Sequence, residues 1–213
     1  MIVVIGLGRF GRALSAELQL LSHEVLGIDS DERLVQSAAG ELTYVVQADA
    51  TDEAALRQLG VADVQHAIVA IGESVQASIL ATATLSDLGI ADIWAKAQSA
   101  QHANILERVG ATHVVFPERD MGQRVAHRVT GRMLEYIQID EGFALIETGV
   151  PERFSGRALV DSGIRQEFDV NVVGVKPHGG RFCHTTADTR LGPNDVLLVA
   201  GEVRDVERFA AES

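Results

Sequence analysis

A glycine-rich stretch near the start of the sequence has the spacing of a phosphate-binding loop. Gly6, Gly8 and Gly11 directly follow an apolar run and open a helical pattern. The first glycine permits a tight turn, the second lets a pyrophosphate approach the backbone, and the third lets helix and strand pack closely. The alternative is that these glycines only shape a turn.

An acidic residue stands where such a loop requires one. Asp29 ends the second apolar run, about 20 residues further on, where a carboxylate accepts hydrogen bonds from a ribose diol and repels a 2′-phosphate. The alternative role is a cap for the helix predicted over 31–39, although Ser30 or Asp31 also has capping chemistry.

Arg9 lies between the second and third glycines. A permanent cation beside the phosphates favours a ligand with extra negative charge, such as the terminal phosphates of ADP or ATP. The alternative is a solvated surface arginine.

Polar and glycine residues also follow later strands, at the edge where open α/β sheets bind ligands. Asp49 is expected either to accept from an adenine amino group or to order its loop, and Gly72 permits close approach to a ligand. The residues expected to bind the nucleotide are Gly6, Gly8, Arg9, Phe10, Gly11, Asp29, Ser30, Arg33, Asp49, Ala50, Thr51, Ala70, Ile71, Gly72, Glu73 and Lys96.

Alternating short apolar runs and amphipathic stretches must position these residues. The pattern predicts βαβ units and a doubly wound parallel sheet, a Rossmann-like fold, over residues 1–118. The predicted strands are 2–5, 24–28, 44–47, 66–70, 93–96 and 113–116, and the predicted helices are 10–21, 31–39, 53–59, 75–88 and 100–109.

The alternation of short apolar runs and amphipathic stretches ends after Pro117. Apolar positions four apart predict one long crossover helix over 119–136, and a small α+β domain is expected over 137–213. In that domain we expect strands at 143–150, 171–176, 180–184 and 196–200, and helices at 158–167 and 203–211.

Composition narrows the class of protein. The 213 residues carry 18 Lys and Arg against 30 Asp and Glu, a net charge of −12, which disfavours nucleic acid or anionic lipid as a partner. No apolar run is long enough to span a bilayer, no basic segment precedes the first apolar run as in a signal peptide, and the single Cys183 fits a reducing cytoplasm.

Recognisable catalytic motifs are missing from the sequence. It has no nucleophile elbow, no Walker lysine and no metal-ligand cluster, and most of its seven histidines are expected at strand edges or on the surface. This favours a sensor over an enzyme.

Several motifs together resemble the RCK (regulator of potassium conductance) family, especially the cytoplasmic gating subunits of Ktr and Trk potassium uptake systems. The likeness covers nearly the whole chain. The stretches that carry it are 6–11, 23–29, 49–51, 70–73, 95–98, 110–118, 169–175 and 192–197.

The resemblance implies a homodimer formed through the crossover helix, an octameric ring, and an integral membrane potassium channel subunit of the KtrB or TrkH kind as partner. ATP and ADP would compete for the cleft, with Arg9 at the terminal phosphate and Glu118 holding Mg²⁺ or another cation. Glu118 and Lys96 also have plain alternatives, as helix-start and sheet-edge residues respectively.

In some relatives the C-terminal domain binds cyclic di-AMP, and Leu159, Val160, Arg165 and Asn171 match that site. A purely structural, dimerising domain is the alternative. For the whole chain we expect a nucleotide-sensing subunit at the inner face of the plasma membrane. The open alternatives are an NAD(H)-responsive Trk-type regulator, an NAD-dependent oxidoreductase, and a scaffold with a vestigial glycine loop.

Overall fold

The computed structural model describes residues 1–129 and 133–212 of the chain. The chain divides into two units, Met1–Pro117 and Glu118–Ser213, and each has its own hydrophobic core. None of the helices in the described ranges combines the length and apolar composition needed to cross a membrane.

The first unit is a parallel six-stranded sheet with helices on both faces. Its strands are β1 (Ile2–Ile5), β2 (Val25–Asp29), β3 (Tyr44–Gln47), β4 (His66–Val69), β5 (Asp92–Lys96) and β6 (His113–Val115). Its helices are α1 (Arg9–Leu20), α2 (Glu32–Ala38), α3 (Glu53–Gln58), α4 (Val75–Asp87) and α5 (Ala100–Arg108). The strand order is β3-β2-β1-β4-β5-β6, which confirms the predicted doubly wound class.

Strand β1 shows why the sequence folds in this way. Its residues are all β-branched, and Val3, Val4 and Ile5 are fully buried or nearly so. Val3 and Ile5 belong to the main core, whereas Val4 packs on the opposite face with Phe10 and Leu14 of α1. A parallel strand covered by helices on both faces requires such a continuous apolar run.

The second unit begins with helix α6 (Pro117–Val129), which starts at the boundary between the two units, and continues as a five-stranded antiparallel sheet. Its strands are β7 (Glu135–Gln138), β8 (Phe143–Gly149), β9 (Asn171–Lys176), β10 (Cys183–His184) and β11 (Val196–Glu202), in the order β10-β9-β11-β8-β7. Its other helices are α7 (Leu159–Ser162), α8 (Ile164–Phe168) and α9 (Val203–Ala210).

Three phenylalanines form the centre of the second core. Phe209 is fully buried, with ring centroids 5.3 Å from Phe168 and 6.2 Å from Phe154. Arg153 stacks on Phe154, 4.4 Å from its centroid, and binds Glu167 at 2.8 Å. These contacts hold α8 and α9 against the sheet.

Two helix predictions in the second unit are wrong. The helix predicted over 119–136 does not include Tyr136, which lies in β7 and pairs with Ile146 of β8. Residues 130–132 of that prediction lie outside the described residues. The helix predicted over 158–167 is interrupted at Gly163, whose φ of +72° ends α7 before α8 begins.

The strand predicted over 180–184 is shorter than expected. Only Cys183 and His184 pair with β9, because Gly179 has a φ of +72° and the Gly180 N–H bonds back to the Pro177 carbonyl at 2.8 Å. The turn therefore extends further into the hairpin than predicted.

Candidate functional site

A cleft of about 500 Å³ opens at the carboxyl ends of the first four strands of the first unit. It lies where the chain passes from β1 to neighbours on either side, the point at which doubly wound sheets bind ligands. Residues from four strand ends line it: Ile5, Gly6, Gly8, Asp29, Ser30, Asp31, Arg33, Leu34, Ala48, Asp49, Ala50, Thr51, Ala70, Ile71, Gly72, Glu73, Ser74 and Ala77.

Most of the sequence-predicted residues are brought together here. Arg9, Phe10, Gly11 and Lys96 do not line the cleft, although all four belong to the same unit. Six lining residues were not predicted: Ile5, Asp31, Leu34, Ala48, Ser74 and Ala77. The sequence around Ser74 could have predicted its position, since a serine directly before a helical run is a typical N-cap. Its hydroxyl accepts a hydrogen bond from the Ala77 N–H at 3.1 Å.

Two of the three glycines are required by the fold itself. Gly6 has a φ of +95°, and a Cβ there would lie 2.9 Å from the Ala70 carbonyl carbon and the Ile71 nitrogen. A Cβ on Gly11 would collide with the Gly6 carbonyl oxygen. Close packing against the backbone after β4 therefore excludes a side chain at Gly6, and close packing of α1 on the loop after β1 excludes one at Gly11.

Gly8 differs from its neighbours. Its φ is −66°, which any residue adopts, and a Cβ there would meet no described atom within 4 Å. Gly8 is also the N-cap of α1 and has no side chain to accept from the first turn. The first backbone bond of the helix runs from the Arg12 N–H to the Gly8 carbonyl at 3.0 Å, so the preceding N–H groups face an opening suited to an anion.

Asp29 fixes the glycine loop to the end of β2. Its Oδ2 accepts from the Leu7 N–H at 2.6 Å and its Oδ1 from the Asp31 N–H at 2.8 Å. Asp31, not Asp29, caps α2, accepting from the Arg33 N–H at 2.9 Å. Each Asp29 oxygen retains acceptor capacity for a ligand hydroxyl.

The cleft wall beside α2 carries a local ion pair. Arg33 binds Asp31 at 2.8 Å, and this hydrogen bond holds the pKa of the Asp31 carboxyl below its usual range. The same bond raises the pKa of Arg33, and the nearby charge of Glu73 contributes in the same direction. The one arginine among the lining residues is thus already engaged by carboxylates.

Asp49 orders the loop after β3. The N–H and hydroxyl of Thr51 donate to its Oδ1 at 2.9 and 2.8 Å, and these bonds lower the pKa of the Asp49 carboxyl. With Asp29, Asp31 and Glu73, it makes the interior of the cleft acidic. An anionic group is therefore favoured only at the α1 end.

Lys96 lies behind the cleft. Its side chain is buried, and its Nζ lies 5.8 Å from the centre of the Phe10 ring in the first turn of α1. A Cβ on Gly72 would come within 3.1 Å of the same Nζ. The ammonium group therefore sits between the glycine-loop helix and the loop after β4.

Glu118 and Arg9 occupy helix starts. Glu118 is exposed in the first turn of α6, and Arg9 is exposed as the first residue of α1. Within the described ranges, no cluster of three or more His, Cys, Asp or Glu side chains could hold a metal ion.

A second, more open groove of about 430 Å³ lies in the second unit. All four residues predicted for a C-terminal ligand, Leu159, Val160, Arg165 and Asn171, line it, together with Thr185 and Thr186. Glu167, an unfavourable neighbour for an anion, is held by Arg153 and does not line the groove.

Comparison with known proteins identifies relatives along the whole chain. The TrkA-N domain model matches residues 2–117, and the TrkA-C domain model matches residues 144–212. The chain is 40% identical over 207 residues to Ktr system potassium uptake protein C of Bacillus subtilis (strain 168), covering 97% of this chain and 94% of that protein. It is 34% identical over 210 residues to Ktr system potassium uptake protein A of the same organism, covering 98% and 95%.

Solved structures share the fold at lower identity. The GsuK channel superposes with a TM-score of 0.66 and 22% identity, over 99% of this chain and 39% of that one. A GsuK channel described as bound to NAD gives a TM-score of 0.64 and 22% identity, over 96% and 37%. This chain thus spans less than half the length of the channel chains.

Proposed function

The chain belongs to the RCK family as a KtrA-like subunit with TrkA-N and TrkA-C domains, and from this premise we propose that it senses adenine nucleotides and regulates a membrane potassium transporter. The nucleotide occupies the first-unit cleft, within a binding domain of residues 1–118. Residues 137–213 form the C-terminal domain, and α6 leads from one to the other. The chain itself catalyses no reaction.

The glycine at position 8 carries the proposal. The fold demands glycine at positions 6 and 11, but neither backbone conformation nor packing among the described residues demands it at position 8. A phosphate group seated on the N-terminus of α1 needs the space that a Cβ would take. The absence of a side chain at Gly8 is therefore explained by a ligand.

The distribution of charge orients that ligand. Ribose hydroxyls donate to Asp29, while the acidic interior excludes a 2′-phosphate and so disfavours NADP. The phosphates extend along the α1 end towards Arg9, with Lys96 behind them. Mg²⁺ or a similar cation, when bound at the phosphates, lowers their charge, and Glu118 is its expected protein ligand.

ATP and ADP are the favoured ligands because Arg9, a permanent cation, stands at the first residue of α1. NAD(H) is the second candidate, since the same glycine loop and Asp29 accommodate a dinucleotide and a GsuK channel of the same fold is described as bound to NAD. In that case Arg9 would contact the pyrophosphate.

Regulation follows from differential binding. If ATP and ADP prefer different conformations of the assembly, the difference in their binding free energies sets how far the transporter equilibrium shifts. The assembly is a homodimer, built into an octameric ring on the inner, cytoplasmic face of a membrane potassium channel subunit. Met121, Val125 and Val129 lie four residues apart on α6 and are exposed in the described single chain, so they provide an apolar stripe for the second copy.

The groove of the second unit is proposed to bind cyclic di-AMP. Arg165 supplies a cation for a phosphate, Asn171 supplies an amide, and Leu159 and Val160 supply an apolar wall for a base. A role in dimerisation alone is the competing proposal for this domain.

Thermal unfolding with ATP, ADP, NADH and NADPH, each with and without Mg²⁺, tests the nucleotide site. A ligand at 100 times its dissociation constant adds about 2.7 kcal/mol, which shifts the midpoint by roughly 5–10 °C. We expect distinct shifts with ATP and ADP, none with NADPH, and loss of both shifts in Gly8→Ala. A shift with NADH alone would show that the cleft binds NAD(H) and not ATP or ADP. No shift with any of the four ligands would refute the proposal.

The Arg9→Ala variant tests the role of the arginine. We expect calorimetric titration to show a narrower ratio of ATP to ADP affinity, with ADP binding largely retained, because the terminal phosphate loses its cation. Equal weakening of both ligands would contradict this role. Hydride transfer from NADH to any of a panel of small carbonyl compounds would instead support an oxidoreductase.

A further inference from the structure

The loop after β4 forms one wall of the nucleotide cleft and is held from outside the cleft. Gly72 lines the cleft, and its carbonyl oxygen accepts a short hydrogen bond from Nε2 of Gln98. Lys96 Nζ stands 3.1 Å from the place where a Gly72 Cβ would be. Both side chains come from the end of β5 and the residues after it, so the wall rests on the neighbouring strand connection.

Gln98 is in turn held by the first turn of α5. Ser99 caps this helix, accepting from the His102 N–H at 3.1 Å, while Nδ1 of the His102 ring accepts from the Gln98 N–H at 3.3 Å. This is the reciprocal pattern of a capping box shifted by one residue, with a histidine in the position that glutamate or glutamine usually occupies.

The environment of His102 suits only a neutral ring that accepts at Nδ1. The side chain is 2% exposed, and burial lowers its pKa. Because Nδ1 accepts a hydrogen bond, the ring proton resides on Nε2, which has no hydrogen-bond partner among the described residues. An apolar side chain would fill the space without stranding a polar atom, so packing alone does not explain a histidine here.

We propose that Gln98 and His102 are positioning residues for the nucleotide cleft: His102 holds the Gln98 backbone, and the Gln98 side chain holds the Gly72 peptide in its binding conformation. The role in binding rests on the proposed nucleotide site. The two-step support from His102 through Gln98 to Gly72 does not, because both of its hydrogen bonds are made within the chain.

The first arm of the test uses the ligand-free protein. Comparison of the nuclear magnetic resonance spectra of the wild type and Gln98→Met assigns the side-chain amide signals of Gln98, because these signals are missing in the variant. We expect these signals to stay at their hydrogen-bonded shifts in His102→Asn, whose Oδ1 replaces Nδ1 as acceptor, and to move to free-amide values in His102→Leu. Unmoved signals in His102→Leu would overturn the proposal, as would equal displacement in the Asn and Leu variants.

The second arm measures affinity for ATP and ADP by calorimetry, with thermal unfolding as a check that each variant is folded. We expect affinity to fall about tenfold in Gln98→Met and in His102→Leu, and to remain near wild type in His102→Asn and in the exposed control Gln101→Met. The double variant Gln98→Met/His102→Leu should be no weaker than either single variant, because both act on the same carbonyl.

The outcomes separate the two proposals. Additive losses in the double variant, or affinity unchanged in both single variants, would show that Gln98 and His102 do not position the cleft. If the wild-type chain binds neither ATP, ADP nor NADH, the proposed function fails, and the spectra alone still decide whether the Gly72 support exists.

Discussion

The nucleotide cleft of the first unit and the groove of the second unit are built in different ways. In the first unit, ends of parallel strands and the start of α1 form the cleft, and its lining residues lie at these strand ends and in the loops that follow them. In the second unit, side chains from α7, α8, β9 and the segment at 185–187 line a shallower groove. Sheet topology therefore determines the first opening, whereas the second depends on where individual side chains project.

The same contrast extends to stability. The first unit depends on close approach of backbone to backbone, as between Gly11 and the Gly6 carbonyl. The second depends on large rings, because Phe154, Phe168 and Phe209 meet in one cluster. A single added methyl group is expected to damage the first unit, and a single lost ring the second.

Phe209→Ala tests the dependence of the second unit on its rings and has the largest expected effect. Removing a fully buried phenylalanine should lower the free energy of unfolding of that unit by about 3–5 kcal/mol. Phe182→Ala, at a ring that is 41% exposed, should cost far less. Denaturant titration followed by hydrogen exchange of second-unit peptides measures both, and similar costs for the two variants would remove the contrast.

Gly11→Ala tests the dependence of the first unit on close backbone packing. The new Cβ cannot be placed without moving α1 away from the loop, so we expect a loss of about 1–3 kcal/mol. Gly8→Ala is the matched control and should stay within about 1 kcal/mol of wild type, because its Cβ meets open space. Trp94, the only tryptophan, lies in the first unit, and its emission during unfolding reports that unit.

The pH dependence of stability should distinguish the units more finely. Burial lowers the pKa of His102 in the folded first unit. The stability that neutral His102 contributes to this unit is therefore complete above the pKa of the unfolded chain, about 6.5, and is lost as pH falls towards the folded pKa. The pKa of Glu135 is lowered by its hydrogen bond with Arg124, so its contribution in the second unit persists until pH falls below about 4.5.

Unfolding at pH 7.5 and pH 5.5 measures this difference. Between pH 7.5 and pH 5.5 we expect protonation of His102 on unfolding to lower the stability of the first unit only. His102→Asn should reduce that loss. Glu135→Gln should reduce the loss of second-unit stability below about pH 4.5. If His102→Asn leaves the slope of the first unit unchanged, His102 does not account for it.

Local pattern was sufficient for the first unit, where every predicted strand and helix lies within one residue of its observed bounds. It failed at β7, because Met133 and Tyr136 continue the apolar spacing of the preceding helix, and only pairing with Ile146 of β8 identifies a strand. Residues at the four strand ends were predictable because parallel strands bring those ends together.

Contacts made between strands were not predictable in the same way. His66 and His113 both approach the carboxylate of Asp92, at 2.6 and 3.5 Å, since lateral pairing of β4, β5 and β6 aligns residues far apart in sequence. The support of Gly72 by Gln98 was missed for a related reason: a histidine is an unusual capping-box partner, and most of the histidines were expected at strand edges or on the surface. The structure buries His102.

The order of the cleft residues along the chain has a consequence for synthesis. Every lining residue comes from positions 5–77, whereas Lys96 and Gln98, which stand behind the Gly72 wall, lie about twenty positions later. A ribosome therefore releases the complete lining before it releases the residues that brace it. A nascent chain that ends between these two points has every residue of the cleft surface and neither of the side chains that stand behind its Gly72 wall.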